Sequence, residues 1–348
     1  MQPARILLTG ATGYIGGTIL SKLRSSQDER VKTSQIDVLI RGEDKVSLFE
    51  NLGVKAITFQ SLDETDFIRK VSSNYDVIIN TASASHAASA VAMISGLHDR
   101  ERATGQKTHF IHTSGTSNLG DNPITKTYTE SRELLDTDDI YKYEQDRQAK
   151  EPYPQRAGDL AVFSTGIELG VKTTIIMPPN IFGFGTGPGN KLSIQIPDLV
   201  RTAIKLGQAV VIGDGTGEWD HVHVEDLAEL YELVLRKVLN GDEDVPYGAN
   251  GMLFAETGRH TWMDVSKGVA SAGLELGALP TDEVRSVSLE EAASWNAYVS
   301  KQLRELGFAS NSRSKAVRSR ALGWAPHREA EWKLTFKADF QAVLDQGR

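Results

Sequence analysis

The feature that most constrains this chain is a glycine-rich turn close to its N-terminus. Residues 6–17 have the sequence ILLTGATGYIGG, a short apolar run followed by glycines at positions 10, 13 and 16. Gly10 permits a tight turn off a strand, Gly13 lets backbone approach a pyrophosphate, and Gly16 lets the next helix pack close to the sheet. The N-terminus of that helix offers free N–H groups to phosphates. The segment therefore predicts a strand, a turn and a helix that bind a dinucleotide.

Short apolar runs continue over the first 180 residues and alternate with segments of helical length. Strands buried on both faces lose the alternation of polar and apolar residues, so each run predicts a strand of a parallel sheet. Runs separated by helices indicate right-handed βαβ units and a doubly wound sheet. The predicted strands are residues 6–8, 36–40, 56–59, 76–80, 109–112, 172–177 and, as a further candidate, 209–212.

The pattern loosens after residue 180. Residues 182–190 (FGFGTGPGN) indicate a loop, either a mobile lid over the cleft or a rigid surface loop. Helices are predicted at residues 14–23 and 226–239, and around 262–276 and 289–306. The fold class is therefore α/β, a Rossmann-type doubly wound parallel sheet with a smaller C-terminal substrate-binding lobe. Residues 1–180, completed by 209–245, form the predicted nucleotide-binding domain, and residues 181–208 and 246–348 form the lobe.

Composition excludes several classes of protein. The 348 residues include 38 Lys and Arg against 46 Asp and Glu, whereas a nucleic-acid site normally shows a basic excess. The absence of cysteine rules out disulfides, zinc–thiolate sites and thiol nucleophiles. No apolar run reaches the length of a transmembrane helix, and the first one is too short for a signal peptide. We expect a cytoplasmic enzyme that binds a small-molecule substrate, not nucleic acid or membrane, as a monomer or homodimer.

Four segments carry a resemblance to a known family. Residues 9–17 (TGATGYIGG) resemble the opening of the extended and atypical short-chain dehydrogenase/reductases, which include UDP-galactose epimerase-like and NmrA-like proteins. Residues 80–83 (NTAS) follow the fourth strand, where that family lays its cofactor along the sheet edge. Residues 177–183 (MPPNIFG) resemble its RPxxVYG segment, and residues 219–228 (WDHVHVEDLA) resemble its FVHVDDLA segment. The matches stand in the family's order and support the predicted doubly wound fold.

The resemblance also implies which residues contact a nicotinamide dinucleotide. They lie in the glycine turn, at the end of the second strand and after the third, fourth, fifth and sixth strands. The implied contacts are Gly10, Thr12, Gly13, Tyr14, Ile15, Gly16, Arg41, Lys45, Leu62, Thr81, Ala82, Ser83, Thr113, Pro178, Asn180 and Ile181.

The residue that closes the second strand discriminates between the two dinucleotides. An acidic residue there hydrogen-bonds the free ribose hydroxyls, whereas an arginine pairs with a 2′-phosphate. Arg41 stands at this position, and Lys45 adds a second positive charge nearby. Because the arginine fork bonds phosphate bidentately, the sequence favours NADP(H). In the alternative, Arg41 is a solvated surface residue and Glu43 or Asp44 reaches the ribose.

The catalytic pattern departs from that of the family, whose tyrosine and lysine stand four residues apart on one helix. Counting back from residues 177–183 places the tyrosine at Tyr153, but Ala157 stands where the lysine belongs. Arg156 is the nearest cation and is the expected support for Tyr153. It lies about 100° around a helix from the lysine position, and it stays protonated, so it cannot relay protons as lysine does.

The family's substrate-orienting serine or threonine is also displaced. The alignment places Gly115 at this position, between Ser114 and Thr116, and either of these hydroxyls would substitute after a small loop shift. The cofactor half of the family pattern is therefore intact, whereas the proton-transfer half is rearranged.

Other side chains are candidates for substrate contact. His86 follows the fourth strand and is a possible substitute acid, and Phe184 lies in the glycine-rich loop. Trp219 is placed near the substrate by the family pattern. His221 and His223 would share one side of a strand, but no acidic ligand spacing accompanies them, so no metal site is predicted.

Three functions remain open at this point. The first is an NADP(H)-dependent oxidoreductase that acts on a small carbonyl, enone or imine with a rearranged acid/base set. The second is a cofactor-binding isomerase, epimerase, cyclase or dehydratase. The third is a non-catalytic NADP sensor of the NmrA-like kind. The residues of the C-terminal lobe contain no motif that identifies a substrate.

Overall fold

A parallel sheet organises the chain. The computed structural model describes residues 3–295 and 300–346, and within them the central sheet has seven strands. They are β1 (Arg5–Thr9), β2 (Gln35–Arg41), β3 (Ala56–Phe59), β4 (Val77–Asn80), β5 (His109–Thr113), β7 (Lys172–Met177) and β11 (Met252–Phe254). Their order is β11-β7-β5-β4-β1-β2-β3, and each neighbouring pair is parallel. The strand order reverses beside β1, so the predicted doubly wound fold is confirmed.

The remaining strands form small sheets outside the central one. They are β6 (Leu134–Leu135), β8 (Asn180–Phe182), β9 (Ala209–Ile212), β10 (Glu218–His223), β12 (Gly258–Thr261), β13 (Val284–Val287) and β14 (Ser314–Lys315). β10 pairs with β8 and β12, whereas β9 pairs with β13 and β6 with β14. The two segments that resemble RPxxVYG and FVHVDDLA are therefore neighbours, because β8 and β10 run side by side.

Helices cover both faces of the sheet and build the second lobe. The first nine are α1 (Tyr14–Arg24), α2 (Glu29–Thr33), α3 (Ser47–Glu50), α4 (Thr65–Ser72), α5 (Ala87–Thr104), α6 (Ile140–Lys150), α7 (Pro154–Leu169), α8 (Gln195–Leu206) and α9 (Val224–Asn240). They are followed by α10 (Trp262–Glu275), α11 (Leu289–Ser294), α12 (Lys301–Phe308), α13 (Val317–Ala321) and α14 (Trp332–Gln346). The helix expected around 289–306 corresponds to α11 and α12, and its residues 296–299 lie outside the described residues.

Two hydrophobic clusters match a nucleotide half and a lobe. The first surrounds the central sheet, and the second joins β9 with α8, α10 and α14. The division into domains stays a prediction, but two parts of it differ from the packing. β11, which the sequence assigns to the lobe, is an edge strand of the central sheet and lies in the first cluster. β9, which the sequence assigns to the nucleotide half, lies in the second cluster because its partner is β13 and not a strand of the central sheet.

A buried carboxylate ties the C-terminal part of the chain to the nucleotide half. Asp136 follows β6, and its two oxygens accept hydrogen bonds from four backbone N–H groups. The donors are Phe254, Val317, Arg318 and Ser319, at 2.9–3.4 Å. Three of these groups belong to the first turn of α13, whose N–H groups have no partner within the helix.

No helix among the described residues is long and apolar enough to cross a membrane.

The Asp136→Ala substitution tests this carboxylate. It leaves buried N–H groups without acceptors, so we expect the free energy of unfolding to fall by about 3 kcal/mol or more. Urea denaturation measures the change. Asp146→Ala, on the exposed face of α6, is the matched control and is expected to change stability by less than about 0.5 kcal/mol. Equal effects of the two substitutions would contradict the role assigned to Asp136.

Candidate nucleotide-binding site

A groove crosses the carboxyl ends of β1, β2 and β4. It has a volume of about 220 Å³. The glycine turn, the end of β2 and the residues after β4 contribute its walls, and eight lining residues are implied cofactor contacts. These eight are Gly10, Thr12, Gly13, Arg41, Lys45, Leu62, Thr81 and Ala82. The structure therefore gathers residues that are up to 72 positions apart in the sequence around one cavity.

Close backbone packing shapes the glycine turn. Gly10 has a φ of 73°, a left-handed conformation that favours glycine. A Cβ at Gly10 would lie 2.6 Å from the Thr81 hydroxyl, and one at Gly16 would collide with both Thr81 and the Gly10 carbonyl. The Thr81 hydroxyl is itself fixed, because it donates to the Thr9 carbonyl at 2.7 Å. The turn is thus held against β4, and α1 begins directly after it.

Two cations lie at the outer end of the groove. Arg41 ends β2 and Lys45 follows in the next turn, and both are exposed and line the cavity. Within the described residues neither side chain has an ion-pair partner. Glu43 and Asp44, which the alternative places on the ribose, are exposed but do not line the cavity.

The glycine-rich loop of residues 183–190 lies against the glycine turn. The Tyr14 hydroxyl donates to the Gly183 carbonyl at 2.6 Å, and the Asn190 N–H donates to the Thr12 carbonyl at 3.0 Å. The two segments are thus joined at both ends of the loop. These contacts favour an anchored loop over a mobile lid.

The hydroxyl groups at the end of β5 point in different directions. Ser114 donates to the Asp159 carboxylate at 2.5 Å, on the α7 side of the sheet. Thr113 bonds the Tyr231 hydroxyl at 2.6 Å, on the α9 side. The Thr116 hydroxyl is buried without a partner among the described residues. Ser114 is therefore committed to the core, which differs from its expected role of orienting substrate.

Tyr153 lies at the N-terminus of α7, and its side chain is buried. Its hydroxyl donates to the Ser117 hydroxyl at 3.1 Å, and burial raises the pKa of Tyr153, so the phenol keeps its proton. Arg156 is fully buried and donates to the carbonyls of Asn118 and Glu151. Arg156 therefore secures backbone and makes no hydrogen bond to the Tyr153 hydroxyl. Its guanidinium does lie over the Tyr153 ring, 5.6 Å from the ring centroid, so the support of Tyr153 by Arg156 stays a prediction.

Two polar residues near Tyr153 were missed by the sequence analysis. Gln155 donates from Nε2 to the Gly115 carbonyl at 2.8 Å and to the Ser117 hydroxyl at 3.2 Å. The two residues, Ser117 and Gln155, lie within polar runs, residues 113–117 and 153–156. The family alignment assigned the catalytic roles in these runs to other positions. The register of the turn after β5, which the sequence does not reveal, selects Ser117 to meet Tyr153.

A pair of buried acids lies beneath this turn. Asp159 and Glu144 both accept hydrogen bonds from Asn118 Nδ2, at 2.8 and 2.9 Å. Burial raises the pKa of Asp159 to about 7 and the pKa of Glu144 well above its usual value. Because two carboxylates in contact repel each other when both are ionised, the pair holds a proton. Burial also lowers the pKa of neighbouring His112 to about 4, so His112 is neutral.

The segment after β7 brings further implied cofactor contacts to the same edge. The Pro178 carbonyl accepts from the Thr116 N–H at 3.1 Å, so this segment adjoins the turn after β5. Asn180 is fully buried, and neither polar atom of its amide has a partner among the described residues. Ile181 is half-buried and pairs with β10.

Eight of the sixteen implied cofactor contacts lie outside the cavity lining. Five of them are described above, namely Gly16, Thr113, Pro178, Asn180 and Ile181, and the other three are Tyr14, Ile15 and Ser83. Tyr14 is committed to the Gly183 carbonyl, and Ile15 packs against the central core. Ser83 follows the lining residues Thr81 and Ala82 and is half-buried.

The structure corrects one substrate prediction and gives two others a defined position. Trp219 is buried in the second cluster and donates to the Ser310 hydroxyl at 2.9 Å, so it is a core residue. His86 caps α5 and bonds Asp63 at 3.1 Å through Nε2. Phe184 is half-exposed and lines a separate cavity beside α14.

The two histidines of β10 have structural partners. His221 stacks on Trp332 with ring centroids 4.1 Å apart, and its Nδ1 lies 3.0 Å from Nδ1 of His260. His223 accepts from the Glu225 N–H and thereby caps α9.

The residues present fit a nicotinamide dinucleotide. The glycine turn exposes backbone at the N-terminus of α1, where a pyrophosphate is favoured. Arg41 and Lys45 offer two cations at one end of the groove. Outside the groove's lining, in the turn after β5 and the segment after β7, Thr116 and Asn180 are buried without side-chain partners in the described part of the chain, and such groups normally bond a ligand or water.

Comparisons with known protein sequences found relatives of this chain. The model of the "NAD dependent epimerase/dehydratase family" matches residues 6–247. The oxidase ucsJ of Acremonium sp. is 26% identical over 301 residues, which cover 83% of this chain and 84% of that protein.

Solved structures share the fold at low sequence identity. The dTDP-glucose 4,6-dehydratase DesIV of Streptomyces venezuelae, solved with NAD and TYD bound, has a TM-score of 0.66 at 16% identity and covers 97% of both chains. The yeast methylglyoxal/isovaleraldehyde reductase Gre2, solved with NADPH, has a TM-score of 0.58 at 13% identity and covers 99% of this chain and all of that one.

The anchor of the loop at residues 183–190 predicts a pH dependence of stability. The Thr335 hydroxyl accepts from the Gly183 N–H at 3.3 Å and donates to the buried Asp339 carboxyl at 3.2 Å. Burial raises the pKa of Asp339 to about 7, so the folded protein binds more protons than the unfolded chain between about pH 4 and pH 7. Its contribution therefore makes the free energy of unfolding fall as pH rises through that window.

Asp339→Asn removes this contribution. In the parent, this contribution lowers the free energy of unfolding by on the order of 4 kcal/mol between pH 4 and pH 7. We expect the variant to lack this decrease, which urea denaturation at several pH values measures. Asp345→Asn, on the exposed end of α14, is the control and keeps the parent's profile. An Asp339→Asn profile that is parallel to the parent's would show that Asp339 does not titrate on unfolding.

Proposed function

Because the chain belongs to the NAD dependent epimerase/dehydratase family, we propose that it is an NADP(H)-dependent oxidoreductase acting on a small carbonyl, enone or imine compound. The observation that carries the proposal is the groove, which has the phosphate-binding turn in its middle and two cations at its outer end. The family consists mostly of enzymes that use a nicotinamide cofactor. The preference for NADP(H) over NAD(H) goes beyond what the family assignment supports.

Arg41 and Lys45 support the preference for the phosphorylated cofactor. Both side chains reach the cavity, and neither is neutralised by an ion pair within the described residues. A 2′-phosphate between them would gain charge-assisted hydrogen bonds, which are shorter and stronger than those between neutral groups. A free ribose hydroxyl would gain less, because no acidic side chain lines this end of the cavity.

The bound cofactor would exchange a hydride with the substrate carbon. The chain's own residues would align the cofactor in the groove and hold the substrate at the turn after β5. Tyr153 keeps its proton because burial raises its pKa, so it acts as a hydrogen-bond donor and not as a base. An already activated acceptor needs little acid assistance, which suits a site with no lysine at position 157.

Calorimetric titration with NADPH, NADP⁺, NADH and NAD⁺ tests the proposal. We expect tight binding of the phosphorylated pair. Arg41→Ala should weaken NADP(H) binding by about 10- to 100-fold, the effect of losing a charged hydrogen bond, and should leave NAD(H) binding nearly unchanged.

Arg102→Ala, an exposed arginine on α5 outside the groove, is the matched control and should not affect either affinity. Tighter binding of NAD(H) than of NADP(H) would refute the role of Arg41. Binding of none of the four dinucleotides would refute the cofactor site itself. Nucleotide binding without turnover of any carbonyl, enone or imine compound would favour the sensor.

A further inference from the structure

Three neutral side chains meet at the turn after β5. The Tyr153 hydroxyl donates to Ser117 Oγ at 3.1 Å, and Gln155 Nε2 donates to the same oxygen at 3.2 Å. Gln155 Nε2 also donates to the Gly115 carbonyl at 2.8 Å, so two hydrogen bonds to the turn fix the position of its amide. Tyr153 and Gln155 stand at the beginning of α7, which fixes them relative to each other.

The hydrogen bonds leave one direction for the Ser117 proton. A hydroxyl has one O–H donor and two acceptor lone pairs, and Tyr153 and Gln155 occupy both lone pairs. Ser117 must therefore donate its own hydrogen elsewhere. Among the described residues, the Ser117 hydroxyl donates a hydrogen bond to no acceptor, although Ser117 is only 9% exposed. A buried donor without an acceptor normally finds a ligand or water.

Packing places the turn that carries Ser117 at the same edge of the sheet as the groove. The Thr116 N–H donates to the Pro178 carbonyl, which joins this turn to the segment after β7. On the other side, Gly158 of α7 packs against the Ala84 backbone, two residues beyond the groove-lining Ala82. In the sheet order β5-β4-β1-β2, the turn that carries Ser117 follows β5, whereas Arg41 ends β2. The two therefore lie on opposite sides of the glycine turn along the carboxyl-end edge of the sheet, which is the crevice of a doubly wound fold.

We propose that Ser117 is the hydrogen-bond donor to the substrate's oxygen, and that Tyr153 and Gln155 are positioning residues that orient its hydroxyl. The inference rests on the proposed function. It narrows the substrate class from carbonyl, enone or imine compounds to compounds whose reacting carbon bears a carbonyl oxygen. Neither Ser114, which faces Asp159, nor Gly115, at the family's serine position, can supply this donor.

The donor acts where charge develops. When a hydride adds to the carbonyl carbon, the π pair of the C=O bond moves to oxygen, which then takes a proton from water. The substrate is reduced and the dinucleotide is oxidised. A hydroxyl fixed by two hydrogen bonds is aimed at this oxygen before the reaction, and such preorganised donors stabilise the transition state more than the ground state.

The absence of cysteine in the chain allows a test that needs no substrate. In Ser117→Cys the new thiol is the only one, and iodoacetamide alkylation followed by intact-mass spectrometry reports whether it faces the crevice. Ser114→Cys, three residues away and directed at Asp159, is the matched control. We expect Ser117→Cys to react at least about tenfold faster, because a thiol at position 114 would lie against the buried Asp159 carboxyl, whose negative charge disfavours the reactive thiolate. Saturating NADPH should slow its reaction.

The outcomes separate the two proposals. If the parent chain does not bind NADPH in calorimetry, the proposed function fails and this inference falls with it. If NADPH binds but Ser117→Cys reacts no faster than Ser114→Cys, or reacts equally fast with and without NADPH, the proposed function stands and the role of Ser117 is refuted. Circular dichroism and the NADPH affinity of each variant confirm that it is folded.

Turnover gives the second measurement. With a carbonyl compound that the parent reduces, Ser117→Ala should lower kcat about 100-fold and change KM much less, as loss of a transition-state donor does. Ser117→Thr keeps the hydroxyl and should recover most of kcat. An unchanged kcat in Ser117→Ala would overturn the proposal even if the cysteine variant is labelled as expected.

Discussion

The close approach of three backbone segments at the glycine turn is the constraint on which the rest of the structure depends. Gly10 and Gly16 leave no space for a side chain beside Thr81, so β1, α1 and the residues after β4 are fixed together. The loop of residues 183–190 closes on the other side through Tyr14 and the Thr12 carbonyl. A larger residue at the turn would separate these segments and close the space that a pyrophosphate needs.

The same turn connects the nucleotide half to the C-terminal lobe. Thr335 on α14 accepts from the Gly183 N–H, so the lobe holds the loop that lies on α1. Asp136 also holds the C-terminal part of the chain, because its carboxylate accepts hydrogen bonds from N–H groups of β11 and α13, which pack in the first cluster. The C-terminal part of the chain is therefore held against the nucleotide half by buried polar contacts as well as by apolar packing.

The central sheet was predictable from sequence because its buried strands leave continuous apolar runs, and the glycine turn identified the groove. The side chains at its far end were not predictable. Ser114 and Ser117 lie in one polar run, and only the course of the turn after β5 directs the first to Asp159 and the second to Tyr153. Similarly, the apolar run at β9 identified a strand but not its partner, and Trp219 is a core residue of the lobe.

A crystal structure of the complex with NADPH tests the central claim most directly. The proposed cofactor site predicts the pyrophosphate at the N-terminus of α1, the 2′-phosphate between Arg41 and Lys45, and the nicotinamide ring beside Ser117 in the turn after β5. It would be contradicted by a dinucleotide bound outside the groove. A 2′-phosphate directed into solvent, with Arg41 turned away from it, would equally contradict it.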